Sequence, residues 1–199
     1  MKKVVISICI GVFTAISLAS FVQDAKDSLA NGLIRMHVRA NSNTDEDQKL
    51  KLKVRDRLIK DSAFLVEGIS DIQTAERIIE ENLGLLKKSA QDEISGNGYN
   101  YPVDIKLAKG NFPIKTYGNI TLPAGTYKAL TVDIGSGEGE NWWCVMFPPL
   151  CFAAESTECI ASPDEKMLIE NLGDDTYSML NGGKVKIKFK IYELLQDMW

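Results

Sequence analysis

Leu33-Ile34-Arg35-Met36-His37-Val38-Arg39-Ala40, running straight into Asn41-Ser42-Asn43-Thr44-Asp45-Glu46-Asp47, is the stretch on which the fold class turns. In its first half Ile34, Met36 and Val38 alternate with Arg35, His37 and Arg39, which is the period-two pattern of a half-buried strand. In its second half Thr44 is placed to cap free backbone N–H groups, and three consecutive acids suit the positive end of a helix dipole. Leu50, Val54 and Leu58 then recur every four residues with Lys and Arg between them. That spacing predicts an amphipathic helix reaching to near Lys60.

Toward the N-terminus, Met1-Lys2-Lys3 precedes an uncharged run over 4–22. The two lysines stay with the cytosolic face, so the body of the chain is expected on the far side of a membrane. Two readings of the run stand. Small Ser17 and Ala19 sit at the −3 and −1 positions of a cleavage site after Ala19, as in a signal peptide. The run is also within the roughly 17–25 residues that span a bilayer, as in an uncleaved anchor. The expected division is therefore a leader or anchor over 1–22, a polar linker over 23–32 and one domain over 33–199. A net charge of −4 supplies no electrostatic drive toward nucleic acid. With no Gly-rich phosphate loop and a place outside the cytosol, no cofactor and no small-molecule substrate are expected.

Further along, Ser70-Asp71-Ile72-Gln73 fits a capping box ahead of the apolar stripe Ile72, Ala75, Ile79, Leu83 and Leu86. The second half reads mostly as strand and turn. Val103, Ile105 and Leu107 alternate with Asp104 and Lys106. Pro123-Ala124-Gly125 turns the chain into a strand over 126–134, and the Gly-rich stretch 135–139 reads as a flexible connection. A strand over 142–147 stops at Pro148-Pro149, since proline has no N–H for a ladder. A short helix over 163–172 and a strand over 184–191, with four lysines on one face, complete the pattern. Together these predict an α+β fold: a mostly antiparallel sheet of about five strands with two main helices packed on one face.

Trp142-Trp143-Cys144-Val145-Met146-Phe147 does not fit a two-layer sheet, because both of its faces are apolar. Leaving either face in water would forgo roughly 1.5–3 kcal/mol per large side chain. The cover is either Pro148-Pro149-Leu150-Cys151-Phe152 folding back as a lid or a partner protein.

The lone histidine, His37, lies between two arginines on the polar face of a strand, and no nucleophile signature surrounds it. A secreted cysteine hydrolase using Cys144 or Cys151 is the rival reading. Cysteine gaps of six and seven residues do not match structural zinc spacings, and the acids 45–47 lack the spacing of a calcium loop. No catalytic, cofactor or metal residues are assigned. Outside the cytosol a Cys144–Cys151 bridge across the Pro-Pro bend becomes possible, with Cys151–Cys159 as the alternative. The basic strand faces read as solvated surface or as a docking face for an acidic partner or anionic headgroups.

Ile34-Arg35-Met36-His37-Val38-Arg39-Ala40-Asn41-Ser42, Asp47-Gln48 and residues 50–56 resemble, in order and spacing, the first signature of the stage II sporulation protein R family. Residues 122–127 and 141–152 resemble its second. The resemblance spans roughly residues 33–152, with Arg39 standing where the family usually carries an apolar side chain. It implies an exported, non-enzymatic signalling protein of endospore formation. Such a protein is made in the forespore and released into the space between the two surrounding membranes. There it triggers a membrane-embedded aspartic protease of the mother cell, which cleaves pro-sigma-E. On motif position, the candidate contacts with that receptor are Arg35, His37, Asn41 and Ser42, and Trp142, Trp143, Pro148, Pro149, Leu150 and Phe152.

Overall fold

The alternation that opens the domain becomes strand β1, Ile34–Arg39, and it lies inside the sheet rather than at its edge. The computed structural model describes residues 2–150 and 162–181. Thr44 caps helix α2, Asp45–Leu65, by accepting from the Asp47 N–H at 3.3 Å. The next stripe forms two helices, α3 (Ile72–Glu81) and α4 (Leu83–Gly96), with the break at Asn82. Asp71 rather than Ser70 caps α3, its carboxylate accepting from the Thr74 N–H at 2.9 Å.

Strands β2 (Val103–Phe112), β5 (Gly125–Ile134) and β6 (Asn141–Phe147) join β1 in a four-stranded sheet of order β2-β5-β1-β6. β2 and β6 run antiparallel to their neighbours, but β1 and β5 are parallel. The sheet is therefore mixed, which corrects the mostly antiparallel sheet of about five strands. The chain between β1 and β5 carries three helices and three strands, ample length for the crossover that a parallel pair requires. The last expected strand, 184–191, lies outside the described residues. A separate two-stranded ribbon, β3 (Lys115–Tyr117) and β4 (Ile120–Leu122), turns at Gly118-Asn119. Gly118 takes φ 55 there, a left-handed conformation that glycine adopts without strain.

The stretch 23–32, expected as a linker, is helical. It ends helix α1, Lys2–Gly32, and is tied into the body. The Ser28 hydroxyl donates to the Leu172 carbonyl at 2.6 Å, and a Cβ on Gly32 would meet Leu172 Cδ2 at 2.6 Å. Leu172 ends helix α5, Ser162–Leu172, which is followed by α6, Asp174–Leu180. The other end of α1 differs: Val4, Ile8, Val12 and Ile16 are each more than half exposed.

Register sorts the sheet into two faces, because residues directly opposite across a ladder share a side. On one face Leu107, Leu130, Met36 and Cys144 form one row, and Ile105, Val132, Val38 and Trp142 the next. The strand residues Met36, Val38, Leu130 and Val132, with Val54 and Leu58 of α2 and Leu86 of α4, are fully buried in the core. The other face carries the polar halves of the alternation.

Candidate interaction face

Three rows cross that second face. Lys106, Thr131, His37 and Trp143 make the central one; Asp104, Asp133, Arg39 and Asn141 lie on one side; Ala108, Ala129, Arg35 and Val145 lie on the other. Arg39 grips Asp133 through two bonds, Nε to Oδ1 at 2.5 Å and Nη2 to Oδ2 at 2.6 Å. His37 Nε2 shares a 2.7 Å hydrogen bond with Asn141 Oδ1, and its ring stacks on Trp143 at 3.7 Å between centroids. Burial pushes the imidazole below its ordinary value. The Asn141 bond works against that, Arg39 adds to it, and Asp133 opposes it.

Arg35, assigned by its alternation to the polar face, does lie on that face but is wholly buried. Its guanidinium carbon sits 4.2 Å from the Phe112 ring centre and 4.9 Å from that of Tyr127. The Nη2 group donates to the Tyr117 hydroxyl at 2.9 Å, while Nε and Nη1 reach no acceptor among the described residues. Burial raises the Tyr117 phenol, and the neighbouring Arg35 charge pulls it back down. An unsatisfied buried donor costs about 1–3 kcal/mol. Each cation–π contact returns roughly 0.5–2 kcal/mol. The aromatic cage therefore offsets much of the expense of the buried charge without satisfying its donors.

Asn41 and Ser42 turn inward. Both donate to Asp47 Oδ2, at 2.8 and 2.6 Å, and Gln48 Nε2 donates to the Ser42 carbonyl at 2.8 Å. Burial works to raise the Asp47 carboxyl, but the bonds from Ser42, Asn41 and Tyr101 outweigh it and hold the group below its usual range. The stretch expected as a flexible connection is bonded to this corner. The Gly139 N–H donates to the Ala40 carbonyl at 2.9 Å, the Ser136 N–H to Asn41 Oδ1 at 3.0 Å, and the Glu140 N–H to Asn43 Oδ1 at 2.7 Å. A Cβ on Gly139 would sit 2.3 Å from the Ser42 carbonyl oxygen, so glycine serves close approach here. Asn41 and Ser42 thus set the shape of the corner.

The second candidate block divides. Trp143 shares the face with His37, whereas Trp142 lies on the helix side beneath the Arg55 guanidinium at 4.7 Å. Val145, Phe147, Pro148 and Leu150 are buried and Pro149 is half-buried. The Leu150 N–H donates to the Val145 carbonyl at 3.2 Å, so the chain after the strand does fold back on it. Tyr117 of the ribbon reaches the Trp143 carbonyl at 3.4 Å, a neighbour that the lid reading did not include. Phe152 and Cys151 lie outside the described residues. Cys144 is buried and disulfide-bonded, and its partner lies outside the described residues. Met36 stands opposite Cys144 and His37 opposite Trp143, so the sulfur and the imidazole leave the sheet on opposite sides. They form no dyad.

Sequence reasoning missed Phe112, Tyr117 and Tyr127, the three rings around Arg35. A two-residue Gly118-Asn119 loop between Lys115-Thr116-Tyr117 and Ile120-Thr121-Leu122 is a hairpin signal that would have found Tyr117. Among the described residues no group of three or more His, Cys, Asp or Glu side chains is arranged to hold a metal. A surface hollow of about 170 Å³ beside Lys49, Lys53 and Tyr99 is smaller than the roughly 300–1,000 Å³ of small-molecule sites.

These features define a class: an α+β module whose polar groups, among the described residues, bond one another across one face of a mixed sheet. The family follows from the sequence comparisons. A family profile described as stage II sporulation protein R matches residues 30–157. Stage II sporulation protein R of Bacillus subtilis (strain 168) is 38% identical over 178 residues, with 83% of this chain and 79% of that protein covered. The chain belongs to the stage II sporulation protein R family. No solved structure matches it significantly.

Proposed function

We propose that the chain is an exported signalling protein of endospore formation. It engages a membrane-embedded aspartic protease of the mother cell and favours the active form of that protease, which then cleaves pro-sigma-E. Family membership ties the chain to sporulation. The observation that carries the signalling reading is the arrangement of the first signature. Its residues build a hydrogen-bonded corner and present His37 and Arg39 on one sheet face, beside the Trp143 ring of the second signature. A ligand shifts a receptor's equilibrium only through tighter binding to one of its forms, and a rigid, pre-shaped face supplies that difference at low ordering cost.

The cysteine-hydrolase rival loses Cys144, whose sulfur is already bonded and lies on the far side of the sheet from His37. In this reading residues 1–22 direct the chain across the forespore membrane as leader or anchor, and the domain works in the space beyond.

The test is pro-sigma-E processing in sporulating cells lacking the chain. Processing should fail, return when the full chain is restored, and stay absent with a form lacking residues 1–22. Normal processing without the chain would refute the reading.

A further inference from the structure

Four of the five arginines pair with a carboxylate: Arg39 with Asp133, Arg55 with Asp56, Arg57 with Asp61 and Arg77 with Glu81. Arg35 is the most buried of the five, and no carboxylate among the described residues pairs with it. It is held by ring faces and one phenol, with Nε and Nη1 unbonded. A planar guanidinium matches a carboxylate through two parallel bonds. A buried guanidinium without one among the described residues is a site open to a carboxylate ligand.

The phenol belongs to the β3–β4 ribbon, which is hydrogen-bonded to itself and not into the four-stranded sheet. Two-stranded ribbons are marginally stable alone, so this one depends on its packing. It joins the body through Pro113-Ile114 and Pro123-Ala124, all four exposed, and its tip is tied by Asn119 Nδ2 donating to Asn181 Oδ1 at 2.8 Å. Tyr117, Ile120 and Leu122 are buried beneath it, so the free chain rests with the ribbon closed.

We propose that Arg35 is a covered docking site for a carboxylate of an acidic protein segment, and that the β3–β4 ribbon is its hinged cover. On engagement the Tyr117 hydroxyl gives way and the partner's Asp or Glu side chain takes the open nitrogens. Lys106, exposed in the adjoining row, and Lys115, exposed on the ribbon itself, favour an acidic approach. This rests on the signalling reading, with the receptor-protease as the source of the carboxylate.

The experiment compares full-length Arg35→Met, Arg35→Lys and Tyr117→Phe chains with a deletion strain, reading pro-sigma-E processing, chain abundance and Tm. Methionine fills the cage without charge. Arg35→Met should therefore keep or raise Tm while lowering processing by about tenfold or more, the cost of losing a buried charged contact. Arg35→Lys keeps the charge without the fork and should fall between. Tyr117→Phe loosens the cover and should reach half-maximal processing at a lower chain level. Full processing by Arg35→Met in cells where deletion abolishes it would overturn the site and leave the signalling reading standing. A fall in both Tm and processing would make Arg35 a structural residue and likewise overturn it. A higher level needed by Tyr117→Phe at unchanged Tm would make the hydroxyl a contact with the partner, not part of a cover, and overturn the hinged ribbon. Processing in the deletion strain would instead defeat the signalling reading itself.

Discussion

The two ends of β1 carry the same residue on the same face and treat it in opposite ways. Arg39 is part-exposed and locked to Asp133, while Arg35, two rows down, is sealed among Phe112, Tyr117 and Tyr127 with no acid among the described residues. The first is an ordinary solvated ion pair. The second stores a cation that no carboxylate of the described residues meets. Side-chain alternation fixes which face a residue leaves from, but neighbouring strands and ribbons decide whether that face is wet.

Removing the cage should break the comparison most forcefully. Phe112 touches Arg35, Tyr127 and Trp143, so Phe112→Ala should cost about 3–5 kcal/mol in urea unfolding. Next comes the corner beside the open end. Asp47→Ala strands the donors of Asn41 and Ser42 and should cost about 2–3 kcal/mol, since bonds to a charged group are the strong ones. The Arg39–Asp133 pair should be far weaker. An alanine double-mutant cycle should give a coupling of only about 0.5–1 kcal/mol, because water screens a pair with Arg39 38% exposed.

The smallest effect is set by pH. His37 and Asp47 both hold protons less tightly in the folded chain than in the unfolded one, so the unfolded chain gains protons first on acidification and stability falls with pH. The His37 share should begin to disappear below its ordinary value of 6.5 and the Asp47 share below the ordinary carboxylate value of 3.8. His37→Gln should remove the early part of the loss and leave the later part, as followed by Tm from about pH 7 to about pH 2.

The same contrast shows what was legible before the fold was known. The β1 alternation, the Thr44 cap and the α2 stripe were, since each depends on residues within a few positions. The parallel β1–β5 pairing was not, because neighbours in a sheet leave no local trace. The glycines of 135–139 looked like freedom, yet Gly135 and Gly139 are there because Asn41 and Ser42 press against them. Trp142 and Trp143 looked equivalent, and only the register separates the one beneath Arg55 from the one stacked on His37.

The signalling role proposed for the chain requires that the polar sheet face meets the receptor. Photo-crosslinkers placed singly at Lys106 and Thr131 on that face, and at Lys53 on the helix layer, test it in sporulating cells. Adducts with the receptor-protease from the first two positions and none from Lys53 are expected. Adducts from Lys53 alone would contradict the assignment.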